Sequence, residues 1–152
     1  MRPDRGTRAL RDVIGALMDT ADGAGYFAGR VSGVEQRLAL GESHALLGRS
    51  APDLQLADGR RLAKCLRTGA ALLLAFEAAP VLQAQAARWA GRVQWLQGEV
   101  RDRAGAKALL VRPDGIVAWV LGEDGVQSEA LESVLCHWFG LADATATQPA
   151  VC

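Results

Sequence analysis

The stretch "ALLVRPDGIVAW" (residues 108–119) limits the fold more than any other part of the chain. Two short apolar runs flank Pro113, Asp114 and Gly115. Proline presets the first turn position, and glycine supplies backbone angles that other residues adopt at a cost. The pattern predicts a β-hairpin with strands over 108–111 and 116–121. A second run, "ALLLAF" (71–76), is continuously apolar rather than alternating, so it predicts a central strand covered on both faces. Pro80 then sits where the first turn of a helix tolerates it. That helix runs to about Ala90 and carries Leu82, Ala86 and Trp89 inward. "RVQWL" (92–96) reads as the next strand.

The flanks complete the pattern. Residues 7–20 read as an amphipathic helix, with Leu10, Val13, Ile14, Leu17 and Met18 on one apolar stripe. "DGAG" (22–25) reads as a break, followed by a short helical piece over 26–31 that ends near Gly33. "VEQRLAL" (34–40) is expected as a strand. Residues 41–59 read as an irregular connection, with "LQL" (54–56) as a short strand before an Asp58-Gly59 turn. Residues 60–67 are expected to form a short helix capped by Gly69. A last helix is expected over 127–139, its apolar face made by Leu131, Val134, Leu135 and Trp138, with Asp124 and Gln127 as its N-terminal cap pair. The tail after Leu141 has little to bury.

A βαβ crossover, then a hairpin, then a closing helix gives an α/β fold. It is a thioredoxin-like sandwich around a mixed four- to five-stranded sheet, preceded by an N-terminal helical segment. The expected organisation is a helical linker or docking segment over 1–45, the sandwich over 46–141 and a tail over 142–152.

Composition excludes several functions. Seventeen basic residues balance seventeen acidic ones, and no basic cluster offers a footprint for nucleic acid. No apolar run approaches the ~20 residues that cross a bilayer, so no membrane partner is expected. The charged start, "MRPDRGTRALRD", has no signal-peptide core, and a cytoplasmic location is the expectation. Cys65, Cys136 and Cys152 lie far apart, so they read as two core or half-buried thiols and one on the tail. His44 reads as an exposed loop histidine, and His137 as a residue suited to a helix C-terminus. Their separation gives no metal spacing. Arg112 and Asp114 read as a solvated hairpin tip, and Arg101–Lys107 as a polar loop. Trp89, Trp95, Trp119 and Trp138 read as packing residues.

Taken together, "LLGRSAPDLQLADGRRL" (46–62), "ALLLAF", "WAGRVQWL" (89–96) and "ALLVRPDGIVAWV" resemble the C-terminal thioredoxin-like domain of FAD-dependent aromatic-polyketide hydroxylases. These belong to the flavin monooxygenase group similar to para-hydroxybenzoate hydroxylase. Residues 7–38 are similar to the helical segment that leads into that domain, and the resemblance covers roughly 7–141. It implies hydroxylation with FAD, NADPH and oxygen, at sites in the larger N-terminal part of those enzymes. No residue here matches a flavin, NADPH, catalytic or metal motif of that part. Gly23, Gly25 and Ala28 fit G-x-G-x-x-A. The segment before them has helical periodicity, however, and no βαβ unit follows, so they read as a turn rather than a dinucleotide cradle. Where a working thioredoxin holds its dithiol, "EAAPVLQ" (77–83) has no cysteine, and dithiol exchange is not expected.

Three functional readings follow. The first is a non-redox structural or interaction module that associates with itself or with a flavin hydroxylase body. Its docking face would be Leu10, Val13, Ile14, Leu17 and Met18. The second is a fragment of a split or truncated FAD-dependent monooxygenase, since the chain starts where the catalytic body would end. The third is a cofactor-independent polyketide-tailoring cyclase or isomerase, working in a groove beside Trp89 or Trp119.

Overall fold

The structure, a computed structural model, describes residues 4–33, 36–41, 43–127 and 129–143. The chain divides into two compact units, residues 1–36 and 37–152.

The first unit is a pair of helices, α1 (Arg5–Met18) and α2 (Ala21–Ser32). Asp4 starts α1, and its carboxylate accepts the Thr7 backbone N–H at 2.6 Å. Thr20 ends one helix and starts the next. Its hydroxyl donates to the Leu17 carbonyl at 2.7 Å and accepts the Gly23 N–H at 3.1 Å. The break therefore falls at Asp19 and Thr20, not at 22–25, which lie inside α2. Gly23 serves a close approach instead of a turn, because a Cβ there would run into the Leu17 carbonyl. Gly33 closes α2 in the left-handed region, at φ 71°.

The cap makes α1 sensitive to acid. The Thr7 backbone N–H is the chief reason that the Asp4 carboxyl lies below the usual carboxylate range. A lowered folded value means that the cap contributes fully above the unfolded value of about 3.9. The contribution is lost as pH falls through the folded value. The Thr7 amide resonance of the full chain should report this acid-side step. Asp4→Asn should keep a cap but abolish the step.

The second unit is built on α3 (Leu62–Cys65), β1 (Ala71–Ala75), α4 (Pro80–Ala87), β2 (Val93–Gln97), β3 (Ala106–Val111), β4 (Val117–Gly122) and α5 (Leu131–Phe139). A 3-10 turn, Leu66–Thr68, extends α3 to Gly69, whose φ of 78° makes the expected cap. The four strands form one sheet in the order β2-β1-β3-β4. β1 and β2 are parallel, and β3 is antiparallel to both β1 and β4. The expected α/β sandwich with a mixed sheet and N-terminal helices is correct. The sheet has four strands, because "LQL" makes only isolated bridges, Gln55 to Arg61 and Leu56 to Val100.

Every residue of β1 is buried, as a strand covered on both faces requires. Ala71, Leu73 and Ala75 face a layer that contains α4 and α5. Leu72, Leu74 and Phe76 face Leu47, Leu54, Leu56 and Leu62, which the irregular segment and α3 supply. A bulge in β4 modifies the alternation. Leu110 pairs with Trp119 and Val111 with Val117, which leaves Ala118 extra. Val117 therefore packs on the α3 side, while Ala118 and Trp119 pack on the α5 side.

The strand expected over 34–40 is absent from its described part, 36–40. Arg37 holds this region instead. Its guanidinium donates to the carbonyls of Leu47 at 3.2 Å and Gly41 at 3.1 Å, so the chain curls where a strand would extend. The segment then runs along the outer edge of β4. Gly48 N–H donates to the Val117 carbonyl, and Val117 N–H to that of Arg49, both at 2.9 Å. The far end of β4 is bridged by Gln127 to Leu121.

The last helix starts at Leu131, later than expected, with Ala130 as its N-cap and no side-chain cap. Asp124 does not pair with Gln127 as a cap. Its carboxylate accepts the Val126 N–H at 2.9 Å in a turn whose Gly125 has φ 82°. The expected tail lies outside the described residues from 144 onward.

Candidate functional site

The side chains expected at the docking face sit on α1. Leu10 is 60% exposed, Val13 58%, Ile14 36%, Leu17 49% and Met18 51%. No residue of α2 is buried either. An apolar stripe this open gives a 14-residue helix little support in water.

In the second unit the tryptophans fix the closing helix. Trp89 and Trp119 are wholly buried. Trp89 Nε1 donates to the Gly140 carbonyl at 2.8 Å, and Trp119 Nε1 to that of Glu129 at 2.7 Å. These carbonyls lie just after and just before α5, so each end of the helix is held by an indole from the core. Arg92 adds a bond from Nη1 to the Phe139 carbonyl at 2.6 Å. Trp95 and Trp138 are half-buried and pack at the margin of the core. All four tryptophans are packing residues.

Two expectations about polar residues need correction. His44 is half-buried rather than free in a loop. Its Nδ1 accepts the Leu46 N–H at 3.1 Å, and its Nε2 lies 3.3 Å from the Gly105 carbonyl. With Nδ1 as acceptor, Nε2 carries the proton and donates, so the ring ties two loops together. Arg112 is not a solvated tip residue. Its side chain is 20% exposed, pairs with Asp114 at 2.6 Å and lies 3.9 Å over the Trp138 ring. That cation–π contact pins the hairpin to α5. Sequence reasoning missed Arg37, the third fixing residue; its only signal was an arginine inside a poorly alternating run.

Among the described residues no polar or charged side chain is buried, and no cluster of three potential metal ligands occurs. Cys65 packs against the α3 side of the sheet and Cys136 against the α5 side. Opposite faces keep these two thiols from pairing. Cys152 lies outside the described residues. The segment 77–83 joins β1 to α4. The Trp89 and Trp119 rings are themselves at 0% exposure, and a cavity of about 450 Å³ lies beside Ala118 and Glu129, lined also by Ser133, His137 and Trp138. Gly23, Gly25 and Ala28 lie within α2, with no strand leading in. Their N–H groups therefore make no loop that would cradle a pyrophosphate, and these residues do not fit FAD or NADPH. No helix of the described residues is long and apolar enough to cross a membrane.

These features define an α/β domain with a filled apolar core and a helical pair ahead of it. A family model described as "Aromatic-ring hydroxylase, C-terminal" matches residues 44–142, and the chain belongs to that family. Among curated proteins it is 35% identical over 143 residues to a monooxygenase of Claviceps purpurea, covering 93% of this chain and 28% of that protein. It is 34% identical to the 12-dehydrotetracycline 5-monooxygenase/anhydrotetracycline 6-monooxygenase of Streptomyces rimosus, covering 91% of this chain and 29% of the relative. Among solved structures, the OxyS anhydrotetracycline hydroxylase from Streptomyces rimosus superposes with a TM-score of 0.71 at 32% identity, over 88% of this chain and 29% of that one. The chain thus spans less than a third of the relatives it matches.

Proposed function

We propose that this chain acts as a non-redox, thioredoxin-like structural and docking module of a flavin-dependent aromatic hydroxylase. The flavin, NADPH and substrate sites belong to the larger part of such an enzyme. The observation that carries this reading is a core without a buried polar group among the described residues, in a domain that a solved hydroxylase carries as 29% of its length. Residues 1–45 are the linking and docking segment, and 46–141 the sandwich. The tetracycline and rifampicin names of the relatives favour a polyketide antibiotic as the substrate class of the whole enzyme. The short span of the match also favours a split or truncated hydroxylase, with this chain as its C-terminal piece.

Light scattering after size exclusion tests the module. The chain should self-associate or bind a hydroxylase body that lacks its own C-terminal domain. Val13→Glu with Leu17→Glu should weaken the complex at least tenfold, while the hairpin resonances of residues 106–122 stay unchanged. A strictly monomeric chain that ignores the body, or one that purifies with bound flavin, overturns the proposal.

A second reading rests on two other relatives. A dialkyldecalin synthase of Streptomyces rugosporus is 43% identical over 51 residues. The Diels-Alderase PyrE3 superposes with a TM-score of 0.51 at 28% identity. On this reading the whole enzyme closes rings rather than hydroxylates, and this domain keeps the same supporting role. Retention of ring-forming turnover by a body whose flavin cannot be reduced would separate the two.

A further inference from the structure

We draw no further inference here: the strongest candidate, the exposed apolar stripe of α1 formed by Leu10, Val13, Ile14, Leu17 and Met18, already carries the docking role proposed above, and nothing in the structure shows what covers it.

Discussion

Trp119→Ala should destabilise the second unit by about 3–5 kcal/mol, the range for removing a buried aromatic side chain. Trp119 is wholly buried, and three effects combine in its loss. The ring leaves a cavity between β4 and α5, the bulge at Ala118 loses the side chain it turns inward, and the Glu129 carbonyl loses its donor. Urea unfolding followed by circular dichroism measures the sum. Trp119→Phe separates the parts. It keeps most of the ring but removes the N–H, and should cost about 1–3 kcal/mol, the penalty of an acceptor left unsatisfied. Equal losses in the two variants would mean that the hydrogen bond, rather than packing, holds the helix.

Gly48→Ala should cost nearly as much, although it adds a single methyl group. Gly48 is buried and has φ 76°. Its N–H donates to the Val117 carbonyl and its own carbonyl accepts the Leu38 N–H at 2.8 Å. A Cβ there would collide with the Leu38 carbonyl. The left-handed backbone alone costs an alanine about 1–2 kcal/mol. Displacing the Leu38 backbone as well brings the loss to roughly 3 kcal/mol, a large part of an ordinary domain's stability. Gly59→Ala is the control. Its φ is 86°, but no atom lies near the position of its Cβ, so it should show the backbone effect without the collision. A Gly48→Ala variant as stable as Gly59→Ala would remove the collision from the account.

The sheet was legible because its strands declare themselves locally. Leu72 and Leu73 are both apolar, which only a strand covered on two faces needs, and Pro113 with Gly115 fixes the turn between β3 and β4. The α1 stripe was legible for the same reason, since periodicity shows which face is apolar. What escaped were features set by partners distant in sequence or by short polar side chains. Arg37 bonds to the carbonyls of Gly41 and Leu47, four and ten residues on, and overrides the strand tendency of its neighbours. Thr20 starts α2 earlier than the glycines suggest, because one hydroxyl serves both helices. Asp124 bends its own backbone instead of capping α5, whose approach is fixed by Trp119 from the sheet. The bulge at Ala118 adds a residue that no alternation pattern in "IVAWVL" reveals. As for the candidate site, spacing identifies the exposed apolar stripe of α1, but that spacing does not say what would cover it.

The course of residues 48–51 beside β4 has a consequence for aggregation. A bare sheet edge offers a row of unpaired amides and carbonyls on which a foreign strand can grow. Here Gly48 and Arg49 take up the Val117 carbonyl and N–H at one end of the six-residue strand, and Gln127 bridges Leu121 near the other. Strand addition along this edge should therefore be disfavoured.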